Sequence, residues 1–253
     1  MLAPERQKFI LDELFKDGAV TVSKLATQLS VTEETIRRDL EKLEKKESLR
    51  RTHGGAVPID DTTYELSLEK RKSTNVEAKQ KLASIAASYV FSGDTIFLDA
   101  STTTFFMAKE LKKLKNITVI TNSLRVVAEL CSCEQIKLIA VGGLVSANQS
   151  FVGTLAERSI KESYFANKMF FSSKGVTKDI GILESNEQEC GIKQNMLVNS
   201  ETKYFLCDSG KIGRVSFAKL AGLSDIDYLV TDKMPDEDFV ATLADNNVKL
   251  ITD

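Results

Sequence analysis

Residues that build metal sites and disulfide frameworks are scarce in this sequence. Its 253 residues include one histidine and four cysteines. The cysteines, Cys131, Cys133, Cys190 and Cys207, show no Cys-x-x-Cys spacing, and the histidine, His53, lies far from all of them along the chain. We therefore predict reduced, structural thiols, no metal site and no cofactor.

Long apolar runs are also missing. No segment approaches the roughly 20 apolar residues that a membrane helix needs. Glu5, Arg6, Gln7 and Lys8 interrupt the region where a secretion signal would have its apolar core. We therefore expect a cytoplasmic protein without a membrane partner. Three prolines, 42% hydrophobic and 28% charged residues are typical of a globular chain, and its length favours a small module joined to a larger domain.

A large excess of positive charge is absent as well. The formal net charge of −2 argues against a generally basic nucleic-acid binder, so any contact with nucleic acid must come from local clustering. Such a cluster exists among residues 37–51, where seven basic side chains occur: Arg37, Arg38, Lys42, Lys45, Lys46, Arg50 and Arg51. The acidic residues Glu5, Asp12, Glu13 and Asp17 lie earlier in the chain, on a different predicted helix.

The first sixty residues predict three short helices. A first helix is predicted over residues 4–17, and an extended step over 19–21 leads into a second apolar helix that ends at Leu29. Thr32 is a favourable N-cap, and the apolar residues after it recur at helical spacing, so a third helix is predicted over 33–46. Two short helices joined by a tight turn are typical of a DNA-binding helix-turn-helix.

The predicted third helix exposes polar and basic side chains. Thr35, Arg38 and Lys42 lie opposite its apolar stripe, and Arg37 lies on the flank. Guanidinium groups suit both guanine edges and phosphates. Residues 48–58 then predict a hairpin, or wing, with basic residues at its base. The alternative is an ordinary three-helix cluster with a solvated basic face.

Two stretches of this region resemble a known family. Residues 35–40 (TIRRDL) and 51–56 (RTHGGA), at this spacing, resemble the signature of the DeoR family of bacterial sugar-metabolism regulators. The resemblance implies that the third helix contacts DNA and that the wing lies against the DNA backbone. The predicted DNA-binding residues are Thr32, Thr35, Arg37, Arg38, Lys42, Arg50, Arg51, His53, Gly54 and Gly55.

The remaining chain predicts a larger α/β domain. We predict a DNA-binding domain over residues 1–58, a polar, partly helical linker over 59–76, and a second domain over 77–253 that opens with a helix to residue 91. Seven short apolar runs then predict strands, with helical patterns between most of them: 95–98, 117–120, 136–141, 168–171, 203–207, 227–230 and 248–251. This alternation predicts a mostly parallel sheet covered on both faces.

Ligands on such sheets bind beyond the carboxyl ends of the strands. One loop at this position, directly after the predicted strand 95–98, is rich in hydroxyl groups. Hydroxyl groups beside the free N–H groups of a helix N-terminus can hold a phosphate. Ordinary helix capping, which needs a single hydroxyl group, is the alternative. The candidate effector-binding residues in this loop are Asp99, Ser101, Thr102, Thr103 and Thr104.

Further loops offer candidate groups at the same edge. Asn122 can orient a sugar hydroxyl group or simply cap a helix. The loop after residues 203–207 contributes the candidates Asp208 and Lys211. Lys211 is placed to bring an ammonium group to a dianionic phosphate, with a solvated surface lysine as the alternative. Gly142 and Gly143 permit a close backbone approach or merely a turn. Additional candidates that close the site and accept hydrogen bonds from sugar hydroxyl groups are Lys174, Gly175 and Glu184.

The C-terminal region also resembles the sensor domain of the DeoR family, whose fold is shared with phosphosugar isomerases and related to coenzyme A transferases. The matching stretches are 93–104, 121–122, 142–143, 151–153, 174–175 and 208–211. The resemblance implies an effector site formed by Asp99, the hydroxyl loop, Asn122, Lys211 and the loop around Lys174. The expected fold class is therefore a winged helix-turn-helix joined to a larger, mostly parallel α/β sensor domain.

These patterns lead us to expect a repressor of sugar uptake or catabolism genes, with operator DNA and a hexose or ketohexose phosphate as partners. The resemblance adds a homo-oligomer, a dimer or a tetramer. The alternative is a phosphosugar isomerase with an added DNA-binding domain. Isomerisation needs a positioned acid/base pair, whereas His53 lies in the wing and Lys174 replaces an acidic residue, so no enzyme is expected. A winged helix that binds only proteins would not need an outward Thr35 and Arg38.

Overall fold

A computed structural model describes residues 2–17, 19–57 and 67–252. The chain divides into two compact units, Met1–Lys70 (unit 1) and Arg71–Asp253 (unit 2). The predicted linker, 59–76, extends across this division, and its residues 59–66 lie outside the described ranges. Within those ranges, no helix is long and apolar enough to cross a membrane.

The residues of unit 1 that the structure describes up to Val57 form three helices and a small antiparallel sheet in which the third strand lies between the other two. These elements are α1 (Ala3–Asp17), β1 (Val20–Thr21), α2 (Val22–Leu29), α3 (Glu33–Lys45), β2 (Arg50–Thr52) and β3 (Gly55–Val57). Thr21 caps α2, and Ser30, in the left-handed conformation with φ of 51°, ends it. The expected winged helix-turn-helix is confirmed, although Pro58 of the predicted wing lies outside the described residues.

Apolar side chains from all three helices form the core of unit 1. Ile10, Leu25, Ile36 and Leu40 are almost completely buried there. Asp39 is also buried and accepts hydrogen bonds from Arg6 and Gln7 of α1. Since α3 presents its apolar stripe and Asp39 to the core, its opposite face is left to the solvent.

Unit 2 is built around a parallel sheet of seven strands, with order β15-β14-β12-β9-β4-β5-β6. These strands are β4 (Thr95–Leu98), β5 (Ile117–Thr121), β6 (Ile136–Ala140), β9 (Ala166–Phe171), β12 (Ser200–Leu206), β14 (Tyr228–Val230) and β15 (Lys249–Ile251). Each predicted strand overlaps one of them, and every neighbouring pair is parallel. Buried apolar clusters cover both faces, so the expected α/β class is confirmed.

Helices occupy most of the connections in unit 2. They are α4 (Leu68–Ser73), α5 (Val76–Ala87), α6 (Thr102–Leu111), α7 (Leu124–Leu130), α8 (Thr154–Ser163), α9 (Glu187–Val198) and α10 (Glu237–Asp245), with α4 starting before the division between the units. The prediction that the first helix continues to residue 91 is wrong. α5 ends at Ala87, and the apolar Val90 is buried in the core after the helix has ended.

The sequence did not predict five short strands in the connections. An antiparallel sheet consists of β10 (Gly175–Thr177), β11 (Gly181–Glu184) and β13 (Ala218–Ala221), and a small hairpin consists of β7 (Leu144–Val145) and β8 (Phe151–Val152). Each has only two to four residues, which is too few for a recognisable periodicity. Consequently the connections at 172–186 and 207–227 are not the simple helical crossovers that the alternating pattern suggests.

Candidate functional site

Four loops of unit 2 meet at one edge of the parallel sheet. β12, β9, β4 and β5 are consecutive neighbours in the strand order. The carboxyl ends of β9, β4 and β5 lead directly into Ser172, Asp99 and Asn122, and Asp208 follows β12 after one residue. Three of these four residues were predicted as effector-binding residues, and the structure brings their loops together at the expected edge.

The hydroxyl groups after β4 have different structural roles. Ser101 is the N-cap of α6, where its Oγ accepts a hydrogen bond from the N–H of Thr104 at 3.1 Å. Thr104 Oγ1 donates to Asp99 Oδ1 at 2.8 Å. Thr102 is buried, and Thr103 is completely buried with its Oγ1 lacking a hydrogen-bond partner among the described residues. Capping therefore accounts for Ser101 but leaves Thr103 unexplained.

The carboxylate of Asp99 is completely buried and organises this edge. Oδ1 accepts hydrogen bonds from the N–H of Ser101 at 3.2 Å and from Thr104 Oγ1. Oδ2 accepts from the N–H of Ser172 at 3.2 Å and lies 3.1 Å from Lys193 Nζ. Because both oxygens are engaged by the protein, Asp99 shapes the predicted site and has little capacity left to bind a ligand directly.

Asn122 has a fixed amide orientation and an unused acceptor. Its Nδ2 donates to the carbonyl oxygen of Phe151 at 3.2 Å, which defines the positions of the amide nitrogen and oxygen. Asn122 is completely buried, and its Oδ1 has no partner among the residues described. The cap of α7 is Ser123, whose Oγ accepts from the N–H of Val126 at 3.3 Å. Helix capping therefore does not explain Asn122.

Lys211 lies on the loop after β12 and is only 17% exposed. Its Nζ donates to Ser172 Oγ at 2.8 Å and lies 3.6 Å from Asp208 Oδ2. The N–H of the same serine donates to Asp99. Ser172, which the sequence did not single out, thus links the lysine loop to the hydroxyl loop, and Lys211 is not a freely solvated surface lysine.

A buried lysine at this edge was also missed. Lys193 of α9 lies 2.5 Å from Glu184 Oε2 and 3.1 Å from Asp99 Oδ2, and it donates to the carbonyl oxygen of Ser172 at 2.8 Å. Burial lowers the pKa of Lys193, but the attraction of Glu184, Asp99 and Glu189 outweighs it and the net pKa is raised. The carboxylate of Glu184, predicted to accept from sugar hydroxyl groups, is therefore already ion-paired within the protein.

Of the remaining predicted effector residues, two glycines are required by close backbone packing. Gly143 has a φ of +152°, and a Cβ there would lie 2.8 Å from the carbonyl oxygen of Val152. A Cβ on Gly175 would lie 2.3 Å from the carbonyl oxygen of Arg214. These close backbone approaches explain both glycines through packing. Gly142 lies next to open space, and the N–H of the half-buried Lys174 donates to the carbonyl oxygen of Leu183 at 3.1 Å.

In unit 1, α3 presents its predicted DNA-binding arginines and lysine to the solvent, whereas Thr35 is half-buried. Thr32 Oγ1 accepts from the N–H of Thr35 at 3.3 Å, so this threonine is the helix cap. Arg37 and Arg38, 52% and 72% exposed, form ion pairs with the glutamates four residues earlier, Glu33 and Glu34. Lys42 is exposed on the same helix. Exposed pairs of this kind contribute little to stability, so both guanidinium groups can exchange a carboxylate for a phosphate or a base at low cost.

The predicted DNA-binding residues of the wing are exposed, with the exception of one buried glycine. Arg50 and Arg51 of β2 are exposed, as are His53 and Gly54 in the turn. Gly55 is buried, because a Cβ there would lie 1.8 Å from the carbonyl oxygen of Val20 on the neighbouring β1. We conclude that Gly55 is required for the pairing of β1 with β3 and does not depend on DNA for its role.

Comparison with known sequences assigns both units to one family. Residues 6–62 match the family described as "DeoR-like helix-turn-helix domain", and residues 74–233 match "DeoR C terminal sensor domain". The chain belongs to the DeoR family of transcriptional regulators. This confirms the resemblance that the TIRRDL and HGGA stretches carry.

Curated relatives match the DeoR-family chain over nearly its whole length. It is 45% identical to the uncharacterized HTH-type transcriptional regulator YulB of Bacillus subtilis, covering 99% of this chain and 96% of the relative. It is 36% identical to the lactose phosphotransferase system repressor of Streptococcus mutans, covering 94% and 95%. A solved ribose 5-phosphate isomerase A from Methanocaldococcus jannaschii shows 17% identity, 56% coverage of both chains and a TM-score of 0.42, which is too partial a likeness for a functional conclusion.

Proposed function

We propose that this chain is a DNA-binding repressor of genes for sugar uptake or catabolism and that unit 2 binds a sugar phosphate as its effector. The names of its relatives support this function. They include the lactose phosphotransferase system repressor of Streptococcus mutans and the repressor GlcR of Bacillus subtilis, which is 34% identical over 99% of the chain. A hexose or ketohexose phosphate is the proposed class of effector.

Two buried, unpartnered polar atoms at the sheet edge carry the proposal. They are Thr103 Oγ1 and Asn122 Oδ1, both in completely buried residues. Leaving such an atom unsatisfied costs about 1–3 kcal/mol, so an arrangement that retains two of them indicates a missing partner. A phosphate oxygen can accept from the hydroxyl group of Thr103, and a sugar hydroxyl group can donate to the amide oxygen of Asn122.

The surroundings of Thr103 suit a phosphate in particular. The residue lies in the first turn of α6, whose first N–H groups have no acceptors within the helix. Ser101 caps only the N–H of Thr104, so those of Thr102 and Thr103 are available to an anion. Lys211, held near Asp99 through Ser172, adds a positive charge at the same edge.

The same geometry favours binding over isomerase chemistry. A general base must have an oxygen free to reach the proton that it removes. Asp99 and Glu184 are the acidic residues that the sequence suggests for that role, and Lys193 lies 3.1 Å and 2.5 Å from their carboxylates. Both carboxylates are thus ion-paired with the same ammonium group inside the protein, which suits a sensor that holds its ligand unchanged.

We propose that unit 1 binds operator DNA through α3 and the wing. Exposed arginines near the start of α3 are in the position that recognition helices use to reach base edges in the major groove. A homo-oligomer, dimer or tetramer, would place two such helices on repeated or palindromic half-sites.

The effector assignment is tested by calorimetry with hexose and ketohexose phosphates and with the unphosphorylated sugars. We expect heat of binding for at least one phosphate and none for its parent sugar. Thr103→Val, which replaces the unpartnered hydroxyl group with a methyl group, should leave the unliganded protein at least as stable and weaken phosphate binding about tenfold. Equal affinity in parent and variant would remove Thr103 from the site.

A further inference from the structure

Lys79 of α5 is a buried cation without an acidic partner. It is 4% exposed, and its Nζ donates to the carbonyl oxygen of Thr74 at 2.7 Å and to that of Arg71. No carboxylate among the described residues lies within ion-pair distance of it. A charged ammonium group inside a protein is normally compensated by a carboxylate or a bound anion. Two carbonyl groups accept from two of its three N–H donors and supply no full negative charge.

The segment that Lys79 holds is connected to the effector loop. Asn75 Nδ2 donates to Asp208 Oδ1 at 2.8 Å, and Asp208 Oδ2 lies 3.6 Å from Lys211 Nζ. A Cβ on Gly210 would lie 3.2 Å from Asp208 Oδ1 and 3.3 Å from Asn75 Nδ2, so the loop packs closely over this hydrogen bond. Residues 71–75 are therefore attached to the lysine loop through Asn75 and to α5 through Lys79.

The charges around Lys79 are predominantly positive. Burial and then repulsion from Lys211 lower the pKa of Lys79 to about 8; Asp208 opposes the shift, and Arg71 and Arg125 add to it. An anion bound next to Lys211 would therefore reduce the repulsion and raise the pKa of Lys79. At a pH near 8 the free protein holds Lys79 partly neutral, and the bound protein holds it charged.

We propose that Lys79 is a positioning residue of the effector site: an anion at the Lys211 loop favours its ammonium form, and this form fixes residues 71–75 through the carbonyl groups of Arg71 and Thr74. The inference rests on the proposed phosphate site and adds a way in which ligand binding there would change the neighbouring residues 71–75. Residues 71–75 directly follow unit 1 in the sequence. A change in how firmly they are held is therefore the first change in unit 2 that the chain can transmit to the DNA-binding unit.

The test uses the full-length chain and inorganic phosphate, which is mainly a dianion above about pH 7.5. Phosphate affinity is measured by calorimetry between about pH 7.5 and pH 9.5, and amide hydrogen exchange is followed at residues 71–75. In the parent we expect affinity to fall about tenfold over this range as Lys79 loses its proton, and phosphate to slow exchange at 71–75.

Two variants separate charge from packing. Lys79→Gln removes the charge and should lower phosphate affinity about tenfold at the lower pH, remove the pH dependence and abolish the exchange response. Lys79→Arg retains a permanent charge and should keep the affinity while removing the pH dependence. Lys168→Gln is the control, because that lysine also donates to a backbone carbonyl group, that of Tyr89 at 2.9 Å, but pairs with Asp94 near the amino ends of the strands.

The outcomes distinguish this inference from the proposed function. Phosphate binding without any change in exchange at 71–75 in the parent overturns the role of Lys79 and leaves the effector site standing. The same conclusion follows if Lys79→Gln and Lys168→Gln show the same affinity and pH profile as the parent. Failure of the parent to bind phosphate at any accessible concentration overturns both proposals.

Discussion

Single buried residues decide which groups at the sheet edge are available to a ligand. Lys193 compensates Asp99 and Glu184, so the carboxylates that look most reactive in the sequence are used within the protein. Thr103 and Asn122, which look like ordinary helix-start residues, keep buried atoms without partners. In the proposed effector site, the groups left to bind a ligand are therefore mainly neutral, together with Lys211.

Replacement of Lys193 tests this charge balance. Lys193→Met leaves two buried carboxylates uncompensated and should lower the free energy of unfolding of unit 2 by about 3–5 kcal/mol, measured by urea unfolding. Lys113→Met, which removes a largely exposed pair with Glu110 on α6, should change it by less than about 0.5 kcal/mol. Equal effects of the two substitutions would show that Lys193 does not balance the cluster.

Glu189 makes the stability of unit 2 depend on pH, and the direction of its pKa shift fixes the sign of that dependence. Burial raises its pKa, with Lys193 and the hydrogen bond from Ser150 opposing the shift and Glu184 and Asp99 adding to it. Because the folded state holds this proton more tightly than the unfolded chain, the contribution of Glu189 to stability is complete below its ordinary range and is lost as pH rises through the raised pKa.

Glu189→Gln should therefore stabilise unit 2 by an amount that grows as pH increases from about 5 to 8, since glutamine retains the acceptor for Ser150 but does not titrate. Urea unfolding of parent and variant at several pH values measures the difference. A difference that stays constant with pH, or that shrinks as pH rises, would contradict the assignment.

At the scale of secondary structure, elements long enough to show a repeating pattern of apolar residues could be predicted from the sequence, and shorter elements could not. α3 and the seven parallel strands followed from apolar spacing, from the N-cap Thr32 and from continuous apolar runs. β7, β8, β10, β11 and β13 are only two to four residues long, which is too short for a repeating pattern. β13 also pairs with β11 across a long stretch of chain, with Ala221 opposite Ile182, and no local pattern encodes such a contact.

The candidate site was predictable to a similar degree. Loops at the carboxyl ends of parallel strands lie at the same edge of a sheet. This rule led to the prediction of Asp99, Asn122 and Lys211. Lys193 could have been found, because its helical neighbours Cys190, Met196 and Leu197 are apolar and place it on a buried face. Ser172 and Lys79 carry no such signal, since their roles arise from contacts between elements far apart in the chain.

The wing offers a matched pair of adjacent glycines. Gly55→Ala should disrupt the sheet of β1, β3 and β2, since the new Cβ would lie 1.8 Å from the carbonyl oxygen of Val20, and should destabilise unit 1 by at least about 2 kcal/mol. Gly54→Ala meets no atom within 4 Å and should leave stability unchanged within about 0.5 kcal/mol. Thermal unfolding checks both, and equal losses would contradict the assigned packing role.

The outward face of α3 is tested by Arg38→Ala. We expect a loss of about 1–3 kcal/mol in binding to a DNA fragment that the chain itself selects from a random pool, measured by gel-shift titration. Arg158→Ala is the control, because Arg158 is also exposed and pairs with a glutamate four residues away, but lies on α8 of unit 2. Unchanged DNA binding by the Arg38 variant would exclude this face of α3 as the DNA-binding surface.

At the scale of the whole molecule, the chain joins two units with separate chemistry. Unit 1 has exposed guanidinium groups on a small winged helix-turn-helix, and the proposed anion site of unit 2 lies at the edge of a parallel sheet. Regulation requires that the free energy of ligand binding in unit 2 alter the affinity of unit 1 for DNA. Residues 71–75, held by Lys79 and Asn75, are the proposed start of that connection.

The most direct test measures DNA affinity of the full-length chain with and without a saturating sugar phosphate that calorimetry has shown to bind. We predict a change of at least about fivefold, which Thr103→Val should reduce at the same ligand concentration. Identical DNA affinity in the presence and absence of the bound sugar phosphate would contradict the account.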